Sequence, residues 1–354
     1  MMTSQLVHPD ILRVLTAVRV LSDTEYELNG IVRDISKLRV FDPSRGVELT
    51  AGPDAVDGGI ERFRTILMTD IYNNLYSATF PSPVSPNLDP NDFIPSLSKA
   101  NNGTGTFQEG WFLLGQEQGS SKLIVRKDGI LYWVRPEDVV PRLPAGSEDQ
   151  SCYVRIPKEA RQMMPAFYMA FGNASRLDIP ADCGPLLRFY FNLTPAAAEP
   201  YLSEITRRLN QRRIHFKTKV IADPAGYNRS DAGVLYLRAC QMAEALPEIM
   251  ATHGVIDPLL KDGVPLFARR LAKGLAFAED PGDGSSFGVS RATLLAGALL
   301  DNPSPVETHQ LAQSVYARFE RSGLDSLRPY ARQDNLAQYE AALASATSVW
   351  EKLT

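Results

Sequence analysis

Residues 186–238 hold the side chains best suited to chemistry, because cations, aromatics and a histidine recur there at a spacing of two. Over residues 186–192 the alternation of an extended chain puts Arg188, Tyr190 and Asn192 on one face and Leu187, Phe189 and Phe191 on the other. Over residues 214–221 the same period lines up His215, Lys217 and Lys219 against Ile214, Phe216, Thr218 and Val220. A turn-rich segment, residues 223–231, carries Tyr227, Arg229 and Asp231, and the strand formers of residues 234–238 follow it. Two strand faces lined with Arg, Lys, His and Tyr are costly to bury without an anion to meet them, so the pattern predicts an anionic-substrate site. The solvent face of a half-exposed sheet would show the same alternation. Arg207, Arg208, Arg212 and Arg213 close a helix that Thr194 caps and Pro195 opens, and they read as a solvated helix end at the negative pole of the dipole.

The elements that must position these residues alternate in type along the chain. Apolar spacing predicts helices over residues 9–22 and 59–76, the second with Ile60, Phe63, Ile66, Leu67, Ile71 and Leu75 as its stripe. Pro81, Pro83, Pro86, Pro90 and Pro95 then predict an extended connection without regular helix. Residues 111–114, 123–126 and 130–134 read as an antiparallel meander with Asp128-Gly129 as its tight turn. The Pro, Gly, Ser and acidic residues of 141–150 predict a boundary between a domain over 1–145, for peptide or partner binding, and one over 146–354. Helices are expected over 239–252, 265–273 (closed by Gly274), 290–300 and 335–353, with a loop at 279–284. Ser304-Pro305-Val306-Glu307 reads as a capping box opening a helix with Leu311, Val315 and Phe319. The fold class is α+β: an N-terminal helical and meander region, then an antiparallel or mixed sheet with C-terminal helices.

Composition narrows the function. A chain of 354 residues with a formal net charge of -4 and a pI near 5.7 argues against general nucleic-acid binding, so the basic stretch is a local feature. Cys152, Cys183 and Cys240 are odd in number and widely spaced, which predicts neither a disulfide framework nor a zinc site and fits a reducing compartment. No apolar run approaches membrane-spanning length, and Pro9, Asp10 and Arg13 interrupt any signal-peptide core, so a soluble cytoplasmic protein is expected. Gly105 to Gly110 has the glycine spacing of a phosphate loop, but Trp111 occupies the lysine position. Ser96 to Lys99 matches SxxK without its companion motifs. Gly284-Ser285-Ser286-Phe287-Gly288 matches GxSxG and would make Ser286 a nucleophile, with Asp301 and His309 completing a triad. The alternative is a loop whose Ser285 or Ser286 caps the next helix, offering backbone N–H groups and Arg291 to an anion.

Several short stretches, in order between about residues 100 and 295, resemble the HopA-type family of bacterial type III effector relatives. That family includes the stand-alone lyases of class V lanthipeptide and thioamitide biosynthesis. The resemblance is carried by Ala100-Asn101-Asn102-Gly103 with Gly110-Trp111, residues 188–192 (RFYFN), Phe216 to Lys219, residues 227–231 (YNRSD) and Val234 to Tyr236. It continues through Pro265, residues 278–282 (AEDPG) and Ser286 to Gly288 with Arg291. It implies elimination of phosphate from phosphoserine or phosphothreonine in a ribosomally made precursor peptide, leaving dehydroalanine or dehydrobutyrine. A separate kinase would supply the phosphopeptide, and no metal, cofactor, nucleic acid or membrane is expected to take part. On this reading Lys219 or Lys217 is the base and His215 the acid. Arg188, Arg229 and Arg291 clamp phosphate with Tyr190 and Tyr227, and Asp231 orients a cation. A non-catalytic phosphopeptide-binding or effector-type protein and a serine hydrolase acting through Ser286 are the alternatives.

Overall fold

The structure is a computed structural model that describes residues 7–37, 40–42, 47–49, 56–77, 88–127, 130–141, 150–161, 166–175, 179–180 and 182–350. It opens with helix α1 (Pro9–Ala17), strands β1 (Val18–Val20), β2 (Glu25–Leu28) and β3 (Ile31–Asp34) in one small sheet, and the hairpin β4 (Val40–Asp42) and β5 (Val47–Leu49). Helix α2 (Val56–Ile71) runs into a π-helical turn at Tyr72–Tyr76, and α3 (Pro90–Ala100) follows. A five-stranded sheet comes next, from β6 (Thr106–Gln116), β7 (Leu123–Lys127), β8 (Ile130–Val134), β9 (Val139–Pro141) and β10 (Ser151–Ile156). The predicted meander is its β6-β7-β8 portion, paired antiparallel throughout. The Asp128-Gly129 turn and most of the expected boundary segment lie outside the described residues.

The larger sheet organises the rest. Its strands are β11 (Glu159–Ala160), β12 (Phe167–Phe171), β13 (Leu186–Phe191), β14 (Phe216–Ile221), β15 (Gly233–Arg238), β16 (Arg269–Ala272) and β17 (Leu275–Glu279), in the order β11-β12-β14-β15-β13-β17-β16. Every neighbouring pair is antiparallel. Helices α4 (Pro195–Gln211), α5 (Met242–Ile256), α6 (Phe287–Leu300), α7 (Thr308–Arg321) and α8 (Leu336–Trp350) complete an α+β fold. The apolar face of the sheet, with Leu187, Phe189, Phe191, Phe216, Val220 and Phe277 almost fully buried, packs under α4 and α8: Tyr201 meets Phe191 at a tilt at 4.6 Å and Tyr339 meets Phe277 edge-on at 5.3 Å. Thr218, a polar side chain on that face, is satisfied by the Tyr201 hydroxyl at 2.8 Å and the Val234 carbonyl at 3.1 Å. Ile11, Phe63 and Leu97 join the same core as this sheet, so helices before and after residue 145 share one interior, while β6–β10 enclose a small core around Trp111, Val125 and Val154.

Several expectations are corrected. Residues 265–273 do not form a helix: β16 and β17 make a hairpin, and Gly274, at φ +61°, turns it where a Cβ would stand 2.4 Å from the Lys261 carbonyl. Pairing of β16 to β17, and of β17 to β13, decides against the helical period. Strand β12 was not read from sequence. Pro90 and Pro95 lie inside α3: Pro90 takes the first turn, where its missing N–H costs nothing, and Asp89 accepts the Asn91 N–H at 2.9 Å as cap. Helix α7 begins at Thr308 with Glu307 as N-cap, and Ser304 instead gives its N–H to the Val20 carbonyl at 2.8 Å. Cys183 and Cys240 are joined in a disulfide, Cα–Cα 5.0 Å, because the loop before β13 and the end of β15 lie side by side; Cys152 is free and buried.

Candidate active site

The polar face of the large sheet carries Arg188 and Tyr190 on β13, Tyr236 on β15, and Lys217 and Lys219 on β14. The two basic strands do not pair with each other. β15 lies between them, with Tyr236 opposite both Arg188 and Lys217, and Val234 opposite both Tyr190 and Lys219. A sheet has a period of two, so this register alone places all five side chains on one face. The Arg188 guanidinium and the Lys217 ammonium approach the Tyr236 ring at 5.4 and 5.1 Å. On the other flank β12 brings Phe167 over Lys219, its ring 4.0 Å from Nζ.

The arginines already have carboxylate partners. Arg188 donates Nε (2.7 Å) and Nη2 (2.5 Å) to Asp280, and Nη2 also reaches the Ser285 carbonyl at 3.3 Å. Arg229 grips Asp231 through Nε and Nη2, the latter at 2.8 Å, and donates to the Tyr72 hydroxyl at 2.9 Å. The lysines have none: neither Lys217 nor Lys219 forms an ion pair or hydrogen bond among the described residues. Burial pushes the Lys219 ammonium down to about 8; Asp231 opposes the shift, while Arg188, Arg229 and Lys217 add to it. Burial also lowers Lys217, with Arg188 acting in the same direction and Asp280 against it. The Phe167 ring face works the other way at Lys219, favouring the cation.

Of the other expected site residues, Tyr190 shares this face but is covered, while His215, Tyr227 and Arg291 stand apart from it. His215 lies just before β14, and its Nδ1 meets the Ala174 carbonyl at 2.9 Å. Tyr227 is fully buried, donates its hydroxyl to the Ile221 carbonyl at 2.7 Å and packs edge-on against Phe93, so it serves the core in place of a ligand. Tyr190 is buried beneath Phe287, and its hydroxyl makes no hydrogen bond with acceptable geometry although Tyr76 stands beside it. Arg291 is buried on α6 beside Phe287, with Nε on the Pro329 carbonyl at 2.9 Å. Ser286 caps α6 by accepting the Val289 N–H at 3.2 Å. Asp301 lies at the far end of that 14-residue helix, on the order of 20 Å away, and pairs with Arg318, so the Ser286–Asp301–His309 triad does not assemble. Arg207, Arg208 and Arg212 pair with Glu204 and Glu248, as a solvated helix end does.

Other residues belong to the site without having been read from sequence. Tyr236 continues the alternation of 234–238, a signal that was there to use. Tyr72, Tyr76 and Lys261 carried no such signal, because they arrive from elements outside the sheet, and Asp280 lay in the 278–282 stretch without its pairing to Arg188 being visible. Lys261 spans the turn that presents Arg229, donating to the Tyr227 and Arg229 carbonyls, and its burial lowers it to about 8. Gly288 permits the Tyr76 ring to lie against α6, since a Cβ there would stand 2.3 Å from it. Among the described residues no group of three or more His, Cys, Asp or Glu is placed to hold a metal ion.

Fold and site together define an α+β protein with a cationic sheet face open to an anion. Residues 159–331, which span the large sheet and helices α4 to α7, match the HopA1 effector protein family. The structure is similar to that of an effector protein from Pseudomonas syringae pv. tomato strain DC3000, at 16% identity and TM-score 0.44. It is also similar to that of an effector protein from Pseudomonas syringae pv. syringae strain 61, at 10% identity and TM-score 0.41. Each similarity covers 77% of this chain and 95% of the other. No curated protein matches the sequence.

Proposed function

We propose that this protein eliminates phosphate from phosphoserine or phosphothreonine of a ribosomally made precursor peptide, after a separate kinase has phosphorylated it. The observation that carries the reading is the pair of lysines, Lys217 and Lys219, on an open sheet face without carboxylate partners, while both neighbouring arginines have one. The free positive charge of the face therefore sits on the lysines. With Arg188, Arg229, Lys217 and Lys219 set against Asp231 and Asp280, the face retains an excess of positive charge when both lysines are protonated, as a phosphate dianion requires.

β-Elimination needs one group to take the Cα proton and another to serve the departing phosphate. Lys219 in its neutral form accepts the Cα proton; the Cα–H electron pair becomes the Cα=Cβ bond, the Cβ–O bond breaks, and phosphate departs with a proton donated by the Lys217 ammonium. Burial lowers both lysines, Lys219 to about 8, which brings its neutral form within reach near neutral pH. Arg188 offers the outer edge of its guanidinium to the phosphate while Asp280 fixes its inner edge. His215 is replaced as the acid in this scheme, since its ring is turned to Ala174. The reading is tested by mass spectrometry of a synthetic phosphopeptide incubated with the full chain. A loss of phosphoric acid, leaving a dehydroamino acid, is expected; recovery of plain serine would mean a phosphatase and refute it. The alternative is a phosphopeptide-binding module, which binding without turnover in the same assay would establish instead.

A further inference from the structure

A pocket of ≈ 320 Å³ opens beside the lysine face, lined by Glu279, Asp280, Asp283, Ser285, Arg291 and Arg332 among others. It shares a wall with the site, because Asp280 and Ser285 are the two residues that Arg188 contacts from the other side. Arg291 is 3% exposed and lies over the Phe287 ring at 4.5 Å. It bonds only the Pro329 carbonyl and, through Nη1 at 3.1 Å, the Ser290 hydroxyl. Arg332, at the rim, gives its backbone N–H to Glu279 at 3.1 Å. Neither guanidinium has a carboxylate ion-pair partner among the described residues. A buried guanidinium without a counter-ion is costly, and a fold that keeps one at a cavity wall leaves room for an anion to supply it.

Of the acids in the wall, Glu279 and Asp283 favour the Arg291 charge from a distance, but none forms an ion pair with it. Asp280 is held by Arg188, and Asp283 accepts the backbone N–H and hydroxyl of Ser285 at 2.9 and 2.6 Å. Glu279 is 2% exposed, its burial raises its pKa, and it is bonded to the Arg332 N–H and the Asn335 amide. We propose that this pocket is a second anion subsite, in which Arg291 and Arg332 take the phosphoryl group of another phosphorylated residue of the same peptide. An extended peptide advances about 3.3–3.6 Å per residue, so with only the Arg188 side chain and the Asp280–Ser285 wall between the sites, that residue is roughly two or three positions from the one undergoing elimination.

This inference rests on a phosphopeptide being the substrate, and its test separates the two. Affinity of the full chain is measured for three synthetic peptides: one with a single phosphoserine, one with two phosphoserines three positions apart, and one with glutamate in place of the second. The doubly phosphorylated peptide is expected to bind about tenfold or more tighter than the singly phosphorylated one, as one charge-assisted contact is worth. Glutamate should recover only part of that gain. Arg332→Ala, at an exposed rim where folding is not at stake, should abolish the gain and leave the singly phosphorylated peptide unaffected. Arg332→Lys should keep part of it. Equal affinity for all three peptides overturns the subsite, as does a parallel loss for one and two phosphates in Arg332→Ala, which would put the eliminated phosphate itself in this pocket. Absence of binding by any peptide overturns both readings. A double-phosphate preference without elimination would uphold the subsite and overturn the lyase.

Discussion

Lys219 and Lys217 share one face, and what distinguishes them is surroundings: Lys219 lies deeper, beside Arg229 and under Phe167, while Lys217 stays at the surface against Tyr236. Lys219→Met is therefore expected to bind phosphopeptide within a few-fold of the parent and to lose turnover by orders of magnitude, because methionine keeps the stem and cannot accept a proton. Near-parental rates in both Lys219→Met and Lys217→Met would remove the lysine base from consideration. A base works only when neutral and an acid only when protonated, so kcat/KM should rise as pH increases through about 8, the value for Lys219 in the free protein, and fall again at higher pH as Lys217 loses its proton. A rate that falls over the same interval contradicts the assignment. The arginines predict differently. Arg188→Ala removes a ligand contact but also strands Asp280 in a half-buried site, so it should lower thermal stability as well as affinity. Adding Asp280→Ala should restore much of the stability and none of the affinity; recovery of both would show that Arg188 never met the phosphate.

Strands and helices carry the next layer of argument. The polar face is legible from alternation because β13 and β14 are regular strands, yet their separation by β15 is not, since register and neighbour order are set by long-range pairing. The packing of Tyr76 against α6 depends on Gly288, where even one methyl group meets the ring. Gly288→Ala should force apart the π-turn at Tyr72–Tyr76 and α6, withdraw Tyr72 from Arg229, and cost about 1–3 kcal/mol as overpacking does. Calorimetry of the variant checks this, and an unchanged melting temperature would mean that the two elements separate freely. A linkage effect belongs here too. Folding lowers the Lys219 pKa from its ordinary 10.5 to about 8, so the unfolded chain binds the extra proton between those values, and Lys219 contributes a rise in stability as pH increases from about 8 to 10.5. Lys219→Met should be at least as stable as the parent at neutral pH and show a flatter stability profile over that window.

The disulfide Cys183–Cys240 acts on the molecule as a whole, closing a stretch of 57 residues that contains β13, β14, β15 and α4. Cross-linking a loop of that length stabilises by about 4 kcal/mol in the chain-entropy account. Thiol titration of the unfolded, unreduced protein should count one thiol, that of Cys152, and reductant should lower the melting temperature. Three reactive thiols would show that the bond does not form. Widely spaced cysteines give no hint of such a bond, because it depends on the ends of β15 and of the loop before β13 meeting in space.

Local chemistry along the chain determined the alternating strands at 186–191 and 216–221, the basic and aromatic face they present, the β6–β8 meander and most of the helices. Each follows from periodicity or capping within a short window, which is where side-chain pattern and backbone geometry are coupled. Only the tertiary structure decided which cations are free. Arg188 and Asp280 are 92 positions apart, Arg229 and Tyr72 157, and nothing local says that the arginines find partners while the lysines do not. It also decided that Tyr227 turns into the core, that Phe287 covers Tyr190, and that Ser286 caps a helix. A side chain's alternation says which face it is on; whether that face is solvent, core or site depends on what folds over it.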